Sequence, residues 1–402
     1  MRTRPALVPL LVSGAMLVLP ACGGGGHRAT VSGGDPNAGG TTVARPGAPG
    51  HGSPTAAPPA AGVYANTLAG MYADSVKGLV ATPRVYVPNS ESDTVDVIDP
   101  TTFKIIDHYA TNGREPQHIT PSWDMKHLYA DNDLGDSLTP IDPQTGKRSG
   151  PNLAVADPYN LYFTPDGSKA IVVAERERRL DFRDPTTFTL IKSVPVPLPI
   201  DGVDHMDFSA DGRYAIASAE YSGDVVKVDV ANMAVLGSLH VGGSPVDVKL
   251  SPDGTVFYVA NQKRDGVVLI DGDSLTEVGF IHTGYGAHGL YQSRDATKLY
   301  VSNRGDPSRS GGAVPGQGVS VIDLATRTVV AQWPFTGSPD MGGVSGDGSQ
   351  LWLSGRYNSE VYVISTSTGQ LLARIKVGRG PHGLDYFPQP GRFSMGHTGV
   401  YR

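Results

Sequence analysis

The chain has 402 residues, including 51 Gly, 32 Pro and 17 Tyr, and no useful length of it repeats apolar residues every 3.6 positions, which excludes a mainly helical fold and favours a turn-rich all-β fold. Its formal charge of −6 argues against nucleic acid or another polyanion as the main partner. The single cysteine excludes an internal disulfide, a c-type haem attachment site and a thiolate metal cluster.

The first 22 residues have the pattern of an export signal. Arg2 and Arg4 precede a mostly apolar run, residues 6–19, that is too short to span a bilayer comfortably. Leu-Pro-Ala-Cys follows and resembles the bacterial lipobox, which implies that Cys22 is lipidated and becomes the mature N-terminus. We therefore predict a lipoprotein signal peptide over residues 1–22 with Cys22 as the lipidation site; simple secretion is the alternative.

Residues 23–61 are rich in glycine, proline and alanine and contain almost nothing that a core could bury. They are predicted to form a disordered tether with a reach of roughly 35 Å. Together with the anchor, this predicts a domain held at the cell envelope, on the extracytoplasmic face of the cell membrane.

An internal repeat organises the rest of the chain. A strand-like run begins at Val85, Leu128, Ile171, Ala215, Phe257, Leu299 and Leu351, at intervals of 42 to 44 residues and a last interval of 52. A period of about 40 to 45 residues with four short strands per unit is that of a β-propeller blade. The sequence therefore predicts an all-β, seven-bladed β-propeller of four-stranded blades over residues 62–387. The long last interval contains GDPSRSGGAVPGQG, which is predicted to be an inserted loop.

The repeats resemble the YVTN family of seven-bladed β-propellers. YVAN at Tyr258, YVSN at Tyr300 and VSVID at Val319 carry the likeness, which covers residues 83–387. The resemblance implies that the fourth run of each unit is the inner strand. The chain would then begin at the second strand of a blade, and HGLDYF at its end would supply the inner strand that closes the N-terminal blade.

Blade three departs most from the repeat, because AERERRLDFRD stands where the second and third strands should meet. Arg176, Arg178, Arg179 and Arg183 crowd this hairpin, with Glu175 and Glu177 between them. A solvated hairpin of mixed charge is the expected structure. The alternative is a docking site for an anionic partner.

Polar residues concentrate where the inner strands begin. Seven strands deliver these positions to one mouth of the central channel, a common place for a propeller's ligand site. The ligand-binding candidates are Gln117, His118, Asp204, His205, Asp247, His288, Asp340 and His382. Two interpretations are open at this point: ligand binding, and hydrogen bonding that holds neighbouring blades together. A divalent cation bound by two or three of the histidines is a further option, although no short spacing such as His-x-His fixes its geometry.

These features together predict a membrane-tethered, monomeric binding or interaction module that uses its channel mouth, with a small molecule or an envelope protein as partner. Residues 388–402 are expected to pack on the propeller as a C-terminal tail. Related propellers include lactonases and haem d1 or quinone-linked oxidoreductases, so a lactonase-like hydrolase or such an oxidoreductase is the alternative. The sequence contains no GxSxG, Walker-type or HExxH motif.

Overall fold

The structure, a computed structural model, describes residue 63 and residues 82–307, 314–391, 393–396 and 401–402. The predicted signal peptide, Cys22 and the predicted tether lie outside these residues. Within the described part of the chain, no helix is long and apolar enough to cross a membrane. Helical structure in that part is one 3-10 turn at Asp133–Gly135, and strands and turns make up the rest of its regular structure.

The described strands form seven antiparallel sheets, one for each predicted repeat. Blades one to three contain β1 (Arg84–Asn89), β2 (Thr94–Asp99), β3 (Lys104–Ala110); β4 (Pro116–Pro121), β5 (Leu128–Asn132), β6 (Ser137–Asp142), β7 (Lys147–Arg148), β8 (Leu153–Ala154); β9 (Asn160–Phe163), β10 (Ala170–Ala174), β11 (Arg179–Arg183), β12 (Leu190–Pro195). Blades four and five contain β13 (Val203–Phe208), β14 (Tyr214–Ala219), β15 (Asp224–Asp229), β16 (Ala234–His240); β17 (Pro245–Leu250), β18 (Phe257–Asn261), β19 (Gly266–Asp271), β20 (Thr276–His282). Blades six and seven contain β21 (Ala287–Gln292), β22 (Lys298–Asp306), β23 (Val314–Asp323), β24 (Thr328–Trp333); β25 (Pro339–Val344), β26 (Gln350–Gly355), β27 (Glu360–Ser365), β28 (Leu371–Lys376).

The last strand, β29 (Asp385–Phe387), belongs to blade one. It pairs antiparallel with β1 through Arg84↔Phe387, Val85↔Tyr386 and Tyr86↔Asp385, so blade one has the order β29-β1-β2-β3. The predicted closure of the ring by the C-terminal inner strand is therefore confirmed. Closure removes the exposed inner edge that blade one would otherwise present.

The apolar core lies between blades. Alternating residues of each strand face opposite sides of a sheet, and both sides of a propeller blade are covered by neighbouring blades. The buried apolar clusters accordingly each bridge two neighbours around the ring: one cluster joins Val97 of blade one to Ile119 of blade two, and another joins Trp352 of blade seven to Leu384 of blade one. The ring is held mainly by these contacts.

Aspartates at the ends of the third strands form turns, as the repeats predict. The backbone N–H groups of Thr101, Gln144 and Thr186 donate to Asp99, Asp142 and Asp184 at 2.8, 2.8 and 3.0 Å. These carboxylates therefore shape the chain and take no part in the channel.

Two details differ from the prediction. The outer strand of blade two is split into β7 and β8, both paired with β6. The insertion in blade six begins as a longer hairpin, because β22 and β23 stay paired through Gly305↔Pro315 and Asp306↔Val314. Residues 308–313, at its tip, are outside the described part.

The described residues of the C-terminal tail contact the propeller. Tyr401 donates its hydroxyl to Asp385 at 3.1 Å, and Arg402 donates to the carbonyl of Ser209 at 2.9 Å and to Asp207 at 3.2 Å. Tyr401 and Arg402 are both 3% exposed. These contacts join the end of the chain to blades one and four.

Candidate functional site

A cavity of about 600 Å³ lies where the inner strands begin, and hairpins from all seven blades line it. In each blade the hairpin joins the second strand to the third strand. The lining residue directly follows the position of the Asn in Tyr-Val-x-Asn, or lies one residue later; these residues are Glu91, Asp133, Glu175, Glu220, Gln262, Arg304 and Arg356. One repeat position thus supplies acidic side chains in blades two, three and four and arginines in blades six and seven.

The eight candidates from the inner strands divide into two groups. Gln117, His288 and His382 line the cavity. The others, His118, Asp204, His205, Asp247 and Asp340, are each 0% exposed and do not belong to the lining. Five of the eight therefore lie behind the wall of the mouth. A β-bulge at the start of β4, β13, β17, β21 and β25 contributes to this arrangement, because a bulge re-aims side chains that strict alternation would present together.

Asp340 is the centre of a buried polar network beneath the cavity. His382 Nδ1 lies 2.6 Å from Asp340 Oδ2, and Arg304 Nη1 donates to Asp340 Oδ1 at 3.1 Å. His288 Nδ1 is 2.9 Å from the same Oδ1 but lacks hydrogen-bond geometry, so this contact is electrostatic. Arg304 also donates to Gln262 at 2.9 Å. These contacts fix two of the cavity's histidines and one of its arginines in place.

The charges of this network follow from its burial. Burial lowers the pKa of His288 to about 3 and that of His382 to about 4, against the opposing effect of Asp340, so both are neutral at pH 7. Burial alone would raise the pKa of Asp340, but contacts with His288, Arg304 and His382 hold it well below its usual range. Because the histidines are neutral, Arg304 supplies the charge that balances Asp340.

The four candidate histidines form one cluster, although only His288 and His382 line the cavity. The ring centroid of His118 lies 4.8 Å from that of His382 and 5.2 Å from that of His205, and His288 and His382 are 6.0 Å apart. His118 Nδ1 donates to the carbonyl of Tyr159 in the next blade at 2.8 Å. His205 Nδ1 is 3.0 Å from Asn160 Nδ2 in the preceding blade. His118 and His205 therefore fit the interpretation that these residues hold blades together.

Asp247 and Asp204 also serve the framework. Asp247 Oδ2 accepts from the backbone N–H of Leu290 in the next blade at 2.8 Å, and Lys249 Nζ lies 3.4 Å from its Oδ1. Asp204 Oδ2 accepts from the backbone N–H of Glu220 at 3.0 Å, which positions the hairpin that carries Glu220 and Tyr221. Both carboxylates hold backbone N–H groups in place, and neither lines the cavity.

The acidic wall of the cavity contains a buried carboxylate without a partner. Glu175 is 9% exposed, and its carboxylate makes no hydrogen bond or ion pair with any described residue. Burial, then repulsion from Asp133 and Glu220, raises its pKa to about 8. Arg176, the next residue, is engaged elsewhere: its Nε lies 2.7 Å from Asp157 and 3.4 Å from Asp133. The expected solvated hairpin of blade three is thus wrong for Glu175, which is buried in the cavity wall; Arg176, with a side chain that is 41% exposed, also lines the cavity.

The opposite wall contains an arginine with unused donors. Arg356 is half-buried and donates one hydrogen bond, from Nη1 to Gln117 Oε1 at 3.2 Å. No carboxylate of the described chain lies within ion-pair distance of it. Blade seven carries Arg356 and blade three carries Glu175, so these two unpaired groups line the cavity from opposite sides of the ring.

The geometry of these residues does not support the divalent-cation site that was considered from the sequence. Across the described ranges, no group of three or more His, Cys, Asp or Glu side chains is arranged to hold a metal ion. The Nδ1 atoms of the clustered histidines face Tyr159, Asn160 and Asp340, so these atoms do not converge on one point.

Candidate selection from the inner strands missed Glu175, Glu220, Arg304 and Arg356. A signal for them was present in the sequence, because the position after Tyr-Val-x-Asn, counted from the start of each run, reads Ser, Asp, Arg, Glu, Gln, Arg, Arg around the ring. The pairing of Ala174 with Arg179 shifts blade three by one residue, so that Glu175 takes this position in the structure. Residues that only close a turn would be expected to be small or neutral at such a position, as Ser90 is.

Comparison with known proteins agrees with the fold. A family model described as YNCE-like beta-propeller matches residues 57–389. No curated protein sequence matches the chain. Similar solved structures include hydrazine synthase of Kuenenia stuttgartiensis, with 23% identity, a TM-score of 0.56, and coverage of 66% of this chain and 87% of that chain.

Two further structures share the architecture. A proposed 6-phosphogluconolactonase of Bacteroides uniformis is 17% identical with a TM-score of 0.60, covering 76% of this chain and 99% of its own. A dihydro-haem d1 dehydrogenase is 16% identical with a TM-score of 0.55, covering 78% of this chain and 76% of its own. At these identities the likeness concerns the fold alone.

Proposed function

The chain belongs to the YNCE-like β-propeller family, and from this premise we propose that it is a lipid-anchored extracytoplasmic binding module whose ligand is a small polar molecule held in the cavity at the channel mouth. One observation carries the proposal. Hairpins of six blades bring charged side chains to one cavity, and that of blade five brings Gln262. Among the lining groups, Glu175 and Glu220 on one wall and Arg356 on the other form no ion pair within the described chain. Unpaired charges at a concave site are typical of functional rather than structural positions.

The enzyme alternatives rest on likeness of fold. The lactonase alternative has no observation at the cavity that favours it over binding. For haem d1 the lining is unfavourable, since carboxylates outnumber arginines there and would repel a macrocycle that itself carries several carboxylates. A binding role without chemistry is the simpler account of this site.

A ligand panel tests the binding function. Full-length protein in detergent would be titrated with small cations, anions, zwitterions, neutral sugars and lactones, while its thermal unfolding is followed. A specific ligand at about 100 times its Kd should add about 2.7 kcal/mol of stability. Turnover of a lactone would favour the hydrolase alternative, and the absence of any stabilising compound would contradict the binding function.

The anchor is tested separately. Cys22→Ser should move the protein from the membrane fraction to the soluble fraction of the envelope, because the lipobox-like Leu-Pro-Ala-Cys precedes a linker that has no other membrane-seeking element. Fractionation followed by immunoblotting measures this distribution. Tight membrane association of the Cys22→Ser protein would contradict the lipid anchor without affecting the proposal for the cavity.

A further inference from the structure

We propose that the ligand of the cavity is a small zwitterion, with a protonated or quaternary amine at one end and an acid group at the other. The proposal rests on the binding function above and adds the chemical class of the ligand. Its basis is a pair of unpaired groups of opposite kind that line the cavity from blades on opposite sides of the ring: the carboxyl group of Glu175 in blade three, which can ionise when a cation enters, and the guanidinium of Arg356 in blade seven.

Glu175 is placed where a cation would be favoured. Its side chain is 9% exposed and has no hydrogen-bond donor or cation among the described residues. The carboxylates of Asp133 and Glu220 repel it. Ionisation of a carboxyl group in such surroundings is unfavourable, because burial and the neighbouring carboxylates both oppose the negative charge. An ammonium group entering the cavity would supply the missing partner.

Aromatic rings border the same wall. Tyr221 follows Glu220 in the hairpin of blade four, lines the cavity and is 54% exposed, and Tyr159 also lines it. The face of a tyrosine ring attracts ammonium groups, and the attraction increases when the site excludes water. Carboxylates together with tyrosine rings therefore favour an organic ammonium over a hydrated metal cation.

Arg356 is suited to an acid group. A guanidinium has five N–H donors in a planar fork that matches two oxygens of a carboxylate or phosphate. Arg356 donates one hydrogen bond, to the neutral Gln117, so most of its donors remain available. Arg304, the other arginine on this side, is already bound to Asp340 and Gln262 and lies over the ring of Tyr357 at 5.7 Å. Arg356 is therefore the anion-binding residue of this wall.

The ring geometry explains why one ligand should carry both charges. Blades three and seven are separated by three blades on one side and by two on the other, the widest separation that seven blades allow. Glu175 and Arg356 both line the cavity of about 600 Å³ and form no ion pair with each other. A singly charged ligand would compensate one of them and leave the other unpaired, whereas a zwitterion compensates both.

Ionisation of Glu175 provides a second readout. The groups around it are Asp133, Asp157, Asp201, Asp204, Glu220, Arg176, Arg304, Tyr159 and Tyr221. Burial and the repulsion of its acidic neighbours raise the pKa of Glu175 to about 8. A cation binds the ionised form better, so binding releases a proton. The affinity for a quaternary amine, which does not itself titrate, should therefore increase as pH rises from about 6 to about 9.

The test uses calorimetric titration of full-length protein in detergent with trimethylammonio carboxylates that have one to five carbons between their charges. Tetramethylammonium and trimethylacetate are the singly charged controls. The variants are Glu175→Gln and Arg356→Gln. Matched substitutions at exposed ion pairs, Glu277→Gln and Arg213→Gln, control for the loss of charge.

The proposal predicts that one spacer length binds at least about tenfold more tightly than either singly charged compound, and that Glu175→Gln and Arg356→Gln each weaken it by about tenfold or more. Glu175→Gln should also remove most of the pH dependence while leaving the melting temperature equal to or above that of the wild type, because glutamine has the shape of the protonated carboxyl group and cannot acquire its unfavourable charge at higher pH. The control variants should bind as the wild type does.

Zwitterions that bind no better than tetramethylammonium, or variants that bind as the wild type does, would overturn the proposal. If another class in the ligand panel binds instead, the zwitterion assignment fails and the binding function stands. If no compound in either set binds, both fail.

Discussion

Truncation before Gly380 should abolish cooperative unfolding of the propeller. The deletion removes β29, the inner strand of blade one, and with it three large side chains, Leu384, Tyr386 and Phe387, that are 0%, 8% and 0% exposed. Burial of each such side chain stabilises a protein by about 1.5 to 3 kcal/mol. Their sum is comparable with the stability of a typical protein, about 5 to 15 kcal/mol. Thermal or urea unfolding, followed by circular dichroism, measures the loss.

A point substitution separates ring closure from other effects of truncation, such as loss of the Arg402 contacts. Leu384→Ala should cost about 2 to 5 kcal/mol, because it leaves a cavity in the cluster between blades seven and one. Leu372→Ala, in the outer strand β28, where Leu372 is 45% exposed, should cost less than about 0.5 kcal/mol. Cooperative melting of the truncated protein near the wild-type temperature would show that the ring does not depend on its last strand.

The second large effect is expected at the floor of the cavity. Asp340→Asn should destabilise the protein by about 3 to 5 kcal/mol, because it leaves the buried guanidinium of Arg304 without a counter-charge. The asparagine keeps the shape of the side chain, so packing changes little. Urea unfolding at pH 7 measures the difference. Exposed Glu277→Gln, which breaks the ion pair with Arg264, should cost no more than about 1 kcal/mol.

A double variant identifies the cause. Combined with Asp340→Asn, Arg304→Gln should recover part of the lost stability, since the buried positive charge is then absent too. Strictly additive losses would indicate that Asp340 stabilises the ring mainly through His382, which donates to its other oxygen at 2.6 Å.

Repeats explain why the fold could be predicted so fully. The run at Phe257 predicted β18 to the residue, and the run at Val85 predicted β1 within one residue, because each unit repeats the same order of short apolar strands and polar turns. Closure by β29 could also be predicted, since a chain that starts at a second strand leaves one inner strand to be supplied by its end. The hairpin extension of blade six could not, because glycine, proline and serine in GDPSRSGGAVPGQG are typical of loops.

The candidate site was harder to predict for two physical reasons. Bulges at the starts of inner strands direct neighbouring residues to different places, so that His288 reaches the cavity whereas Asp247 contacts the backbone of the next blade. In blade three, Glu175 and Arg176 interrupt the repeat pattern and resemble a charged surface hairpin until the ring is closed. A local departure from an otherwise consistent repeat is a reasonable place to look for function.

The most direct test of the cavity as a binding site is the small-molecule content of full-length protein isolated in detergent from its own envelope. Leu134 lines the cavity and is 37% exposed, so Leu134→Trp should occupy part of the space without breaking a polar contact. Leu236→Trp, on the outer strand β16, is the matched control. Mass spectrometry of the released compounds should detect one small polar species in wild-type and Leu236→Trp protein and much less of it in Leu134→Trp protein. Equal amounts in all three proteins, or none from the wild type, would contradict the account.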